Sequence, residues 1–126
     1  AADQLVLDDA RLEDVDRARL LVVRGDRTLG WVTAATGGFA PIRAPGLPLG
    51  AIVAARRHPD GRALIVLVDG VAQRFYRVEL ATGRATLVHE LARGDTAGRP
   101  AVLADGRVVF RAATYVGDLY EEAGRF

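Results

Sequence analysis

Residues 58–68 read His58-Pro59-Asp60-Gly61-Arg62-Ala63-Leu64-Ile65-Val66-Leu67-Val68, and the last six of them are apolar without a break. A strand with one wet face alternates polar and apolar side chains, because successive residues point to opposite sides. Six consecutive apolar residues bounded by turn residues read instead as a strand covered on both faces. Asp60-Gly61 just before it supplies the positive backbone angles of a tight hairpin turn. Whatever covers this strand must come from elsewhere in the sequence.

The flanking residues fill out a four-strand unit. Ala51-Ile52-Val53-Ala54-Ala55 leads into the turn as a strand. Tyr76-Arg77-Val78-Glu79-Leu80 alternates, Thr82-Gly83 turns the chain, and Thr86-Leu87-Val88-His89-Glu90-Leu91 reads as an outer strand. Two further copies align with this one. Asp16-Arg17-Ala18-Arg19 precedes Leu20-Leu21-Val22-Val23, and Ala104-Asp105-Gly106-Arg107 precedes Val108-Val109-Phe110. Asp16, Asp60 and Asp105 are 44 and 45 residues apart. Each apolar run is followed by a polar turn and then an aromatic, Trp31, Tyr76 or Tyr120, expected at equivalent packing positions. A second turn is expected at Thr36-Gly37-Gly38, Thr82-Gly83-Arg84 and Ala123-Gly124-Arg125. The only helical candidate, Asp8 to Leu20, collides with this register.

The pattern of Pro59-Asp60-Gly61, apolar strand, Tyr76-led strand and Thr82-Gly83 resembles the WD-like repeat of TolB-type β-propellers. The period fits the ~40–45 residues of a four-stranded blade. The resemblance implies an all-β chain of three four-stranded blades, about 10–48, 49–97 and 98–126, forming one unit. It also implies an interaction platform; some such propellers gate substrates of peptidases or serve as subunits of envelope assemblies. Rings of this kind carry ~4–8 blades, so three would be completed by oligomerisation, a dimer of three-blade units being favoured. The third repeat reaches Phe126 where its outermost strand should begin. Gln4, Leu5, Val6 and Leu7 resemble the outer strand of the second repeat. Strand 4–9 is therefore expected to complete the last blade of the same or a neighbouring chain by strand addition. The arithmetic of three repeats also fits a β-trefoil, which would be a monomeric carbohydrate-binding module. A fragment of a larger propeller hydrolase is the third reading.

Composition narrows the chemistry. The sequence lacks Cys, Met, Ser, Asn and Lys, so disulfides, thiolate and serine nucleophiles, Schiff-base lysines and N-glycosylation are excluded. A net charge of +1 argues against a nucleic-acid partner. No apolar stretch approaches the ~18 residues of a membrane helix, so no membrane insertion is expected. The chain opens Ala1-Ala2-Asp3 without Met, which reads as a secreted chain cut after small residues or as a trimmed one. The expected compartment is extracellular or periplasmic, with the cytoplasm left open.

Side chains that could carry chemistry are few. His58 and His89 lack the spacing of a metal site and read as turn or surface residues. Glu121 and Glu122 are adjacent, so an extended backbone points them apart. Residues 1–16 hold Asp3, Asp8, Asp9, Glu13, Asp14 and Asp16 against Arg11, an acidic arm suited to docking on an Arg-rich surface; it lacks the loop of a calcium site. Arg24-Gly25-Asp26 and Arg93-Gly94-Asp95 read as turn chemistry. No catalytic residue, metal site or cofactor is expected, and the reading is a non-enzymatic module that binds a protein or itself. Its loops between second and third strands place Arg24, Arg27, Asp69, Arg74 and Tyr115 as the partner-binding residues.

Overall fold

The computed structural model describes residues 10–25, 27–114 and 116–126, and among these every regular element is a β-strand. The strands are β1 (Ala10–Asp16), β2 (Arg19–Arg24), β3 (Thr28–Thr33), β4 (Phe39–Pro41), β5 (Ile52–Arg57), β6 (Ala63–Val68), β7 (Arg74–Glu79), β8 (Ala85–Glu90), β9 (Thr96–Ala97), β10 (Ala101–Val102), β11 (Arg107–Ala113) and β12 (Leu119–Arg125). They form three antiparallel sheets of four consecutive strands. Sheet I runs β1-β2-β3-β4 and sheet II runs β5-β6-β7-β8. Sheet III runs β10-β11-β12, with β9 on the same edge of β11 as β10 but further along it. The repeat boundary read at 97/98 falls just after β9. Among the described residues no ladder joins one of the three sheets to another, which corrects the trefoil alternative: its barrel needs strands of all three repeats in one closed sheet.

The six apolar residues of the opening stretch are β6, and all six are buried. Leu64, Val66 and Val68 pack with Leu21, Val23 and Leu29 of sheet I. Ile65 and Leu67 point the other way, against Val108, Phe110 and Ala112 of sheet III. Sheet II is thus covered on both flanks, one hydrophobic cluster per flank. Each fully buried Leu, Ile or Val contributes roughly 1.5–3 kcal/mol. An aromatic group reinforces the second cluster, with the Phe75 ring 4.8 Å from Phe110 and 5.5 Å from Phe126.

The turns explain the Asp register. The Asp60 carboxylate accepts the Arg62 backbone N–H at 2.8 Å, and that of Asp105 accepts the Arg107 N–H at 3.0 Å. Asp16 instead takes the Arg19 guanidinium at 2.8 Å. After each Asp the backbone enters the left-handed region, at Arg17 (φ 51°), Gly61 (φ 72°) and Gly106 (φ 87°). The second turns of sheets I and II also match: Thr36 and Thr82 each accept the N–H two residues on, both at 3.2 Å.

The third second turn, expected at Ala123-Gly124-Arg125, is not there. β12 runs through it, with Val108 paired to Gly124. No threonine stands at 123 to fold the backbone back, and Gly124 is absent from the positive-φ residues. The three aromatics are core residues but not equivalent. Trp31 faces sheet II, whereas Tyr76 faces back to sheet I and Tyr120 back to sheet II. The chain from 8 to 20 is not helical over its described part, which forms β1 and enters β2.

Two outcomes follow from the turns. A non-glycine left-handed residue costs about 1–2 kcal/mol, part of which the flexibility of unfolded glycine cancels. Arg17→Gly should therefore raise unfolding free energy by about 0.5–1 kcal/mol in a denaturant titration. Burial pushes the Asp60 carboxyl up, but the Arg77 guanidinium at 2.6 Å, the Arg62 N–H and nearby His58 outweigh it and hold it at about 2. Its folded value is below 3.8, so its stabilisation is present above that pH and is lost as pH falls towards 2. Asp60→Asn should lower the melting temperature at pH 6, and the gap to the parent should close between pH 4 and pH 2.

Candidate functional site

The first strands of the three sheets lie side by side, β5 touching β1 on one side and β10 on the other. Their sequences are irregular where they meet. The β1 register skips at Glu13, that of β5 skips at Val53, and residues 98–100 split β9 from β10. An extra residue in a strand re-aims side chains. Here it turns Glu13 inward, leaving its side chain 1% exposed.

Charged groups from all three sheets meet there. Arg99 Nη2 donates to Glu13 Oε2 at 3.1 Å and to the Leu12 carbonyl at 3.2 Å, tying sheet III to sheet I. Arg11 stands 3.8 Å from Glu13 Oε1 and donates to the Ile52 carbonyl of sheet II. Arg56 Nε donates to the Pro100 carbonyl at 3.2 Å, linking sheets II and III. Asp14 Oδ2 accepts the Arg57 N–H at 2.9 Å, and the Asp14 carboxylate lies 4.0 Å from both the Arg56 and the Arg57 guanidinium. Burial pushes the Glu13 carboxyl above its usual range, against the pull of Arg99, Arg11 and the Ala55 N–H.

Beside this network opens a cleft of about 360 Å³ lined by Asp14, Arg56, Arg57, His58, Pro59, Ala101 and Val102. The His58 Nδ1 is 3.2 Å from the Asp60 carboxylate. The cleft offers cationic hydrogen-bond donors. Among the described residues no three His, Asp or Glu side chains gather as a metal site would require.

The described residues read as partner-binding lie at strand ends and turns at the other end. Arg24 closes β2 with its guanidinium 4.9 Å from the Phe39 ring, and Arg27 is exposed in the next turn. Asp69 accepts from Gln73 Nε2 at 3.4 Å, and Arg74 Nε pairs with Glu90 at 3.0 Å. These four are exposed and share an end of the molecule, and Arg24, Asp69 and Arg74 are engaged within their own sheets. Tyr115 and the strand residues Gln4, Leu5, Val6 and Leu7 lie outside the described residues, as does Asp26. In the second Arg-Gly-Asp tripeptide the Asp95 side chain is turned to Tyr120, whose hydroxyl donates to it at 2.8 Å. Burial, with that bond, raises the Tyr120 hydroxyl to about 12.

Three features escaped the sequence reading. The most exposed large apolar residues, Leu49 (95%), Val71 (73%), Leu119 (68%) and Val116 (67%), all sit at the loop end. A valine between Gly70 and Ala72 in a turn was the available signal for one of them. His89 is not a plain surface residue: it stacks on Phe126 at 5.6 Å and pairs with Glu122 at 3.0 Å, joining sheets II and III. The Glu13–Arg99 pair spans 86 residues of chain and carries no local signal.

No family model matches the chain, and no curated protein matches it. Among solved structures, the chain is similar to an uncharacterised protein from Listeria monocytogenes, with a TM-score of 0.64 and 10% identity over 95% of this chain. The likeness is one of fold. The match covers 38% of that protein's chain, so this chain spans well under half of its length.

The buried carboxylate makes the clasp asymmetric. Arg99→Ala leaves Glu13 buried with the more distant Arg11 and the Ala55 N–H, whereas removing Glu13 leaves two arginines that can reach water. Arg99→Ala should cost about 2 kcal/mol at pH 7, and Glu13→Gln less than about 1 kcal/mol. Because folding raises the Glu13 carboxyl, the folded state holds that proton more tightly, and this group's contribution falls as pH rises above 4.5. Glu13→Gln should remove that part of the pH dependence in denaturant titrations from pH 4 to pH 7.

Proposed function

We propose that the chain is a β-propeller module of TolB-like repeats that binds proteins or itself and carries no catalysis. In this reading sheets I, II and III are consecutive blades, and the expected setting is extracellular or periplasmic. The carrying observation is the repetition itself: three sheets of four consecutive strands, with sheet II buried between the other two. The flanks of the outer sheets away from sheet II have no fourth sheet against them among the described residues. Leu12 and Val15 of sheet I and Leu119 of sheet III are exposed. Flank burial stabilises a blade, so further blades complete the ring.

The favoured completion is a second copy. β12 has no partner on its outer edge among the described residues, whereas the third strands of sheets I and II each pair with a fourth. Residues 4–9, from the same or a neighbouring chain, are the proposed occupant. The same array within one longer chain is the second reading, favoured by the greater length of the Listeria protein. The loop end, with Arg24, Arg27, Asp69 and Arg74 among exposed Leu49, Val71 and Val116, is the proposed surface for a protein partner, to which the sequence adds Tyr115.

Light scattering separates these readings. A mass of twice the chain, falling to the monomer or lost to unfolding when residues 1–9 are deleted, is the expected result. A stable monomer of unchanged melting temperature with or without those residues contradicts self-completion.

A further inference from the structure

The cleft between the first strands holds cationic donors that the protein itself uses only in part: Arg57 Nη1 is 3.3 Å from Asp16. The Arg57 Nε is buried and has no hydrogen-bond partner among the described residues. Its approach to Asp14, at 4.0 Å, is too long for a hydrogen bond. Arg56 spends its Nε on the Pro100 carbonyl, while its Nη1 stands 4.0 Å from Asp14, again beyond hydrogen-bond reach. A buried donor left unmade costs about 1–3 kcal/mol, so an acceptor brought to it recovers that loss. The cleft, at about 360 Å³, is within the ~300–1,000 Å³ of small-molecule sites.

We infer that this cleft is a binding site for a small oxyanion, carboxylate or phosphate, held between the guanidiniums of Arg56 and Arg57. Guanidinium forks match the oxygen spacing of both groups and bind them through paired charge-assisted hydrogen bonds. Asp16, beside Arg57, in turn takes Arg19 at 2.8 Å, so three arginines stand against Asp14 and Asp16 and a positive balance remains. Asp14 plays two opposed parts. It fixes the strand by accepting the Arg57 N–H, and its charge weakens any bound anion. The site rests on this cleft alone and stands whether or not the chain assembles into a ring.

The test is thermal denaturation of the full chain with increasing inorganic phosphate, and separately succinate, against chloride at matched ionic strength. A ligand of the folded state raises the melting temperature saturably. The expected result is such a rise with at least one of the two anions, its absence in Arg57→Ala, and about tenfold lower half-saturation in Asp14→Asn, which keeps an acceptor but loses the charge. A response to one anion alone identifies the oxyanion. Should Arg57→Ala fail to fold, Arg57→Lys retains charge without the fork and should weaken the effect at least about fivefold. Parent and Asp14→Asn chains that respond to neither anion beyond chloride overturn the proposal. So does an undiminished response in the folded Arg57 variant.

Discussion

β6 has no face turned to water. Sheet I covers Leu64, Val66 and Val68, sheet III covers Ile65 and Leu67, and no other described strand is buried at every residue. A lone four-stranded sheet would leave both of these rows wet. The burial that holds sheet II together therefore exists only when both neighbours are in place, and the three sheets are conditions of one another's stability.

The polar groups settle how the sheets stand relative to one another. Apolar flanks slide easily, since burial is non-directional. The bonds from Arg99 to Glu13, from Arg11 to Ile52 and from Arg56 to Pro100 are directional, and each joins a different pair of sheets. Charge thus fixes an arrangement that apolar packing drives. The same network leaves a cleft whose cations are only partly used, which is how a structural feature becomes a candidate binding site.

Much of this fold was readable because its signals are local. The ends of β6 coincide with the six-residue apolar run, and Asp60-Gly61 and Asp105-Gly106 mark turns with the positive φ their glycines permit. Even the degenerate Asp16-Arg17 copy adopts that backbone, with arginine bearing the strain. Where the reading failed, a tertiary contact decided. Gly124 looked like a turn residue, yet its pairing with Val108 keeps it in β12. Trp31 and Tyr76 shared a repeat position in sequence, yet they meet across one interface from opposite sides. Glu13 read as part of an acidic arm facing arginines, and it does meet Arg99 and Arg11, but the one-residue skip in register that buries it is not legible locally. Arg24, Arg27, Asp69 and Arg74 stand at or beside the turns between second and third strands, but the apolar residues that give that end its character stand singly in the sequence.

Native-state amide hydrogen exchange tests most directly whether the sheets depend on one another. If they do, amides of β6 exchange only through global unfolding, at the free energy measured by denaturant, while those of β4 and β12 open locally at lower cost. Exchange from β6 as fast as from β4, or a sheet II that stays protected while both neighbours exchange freely, would contradict the account.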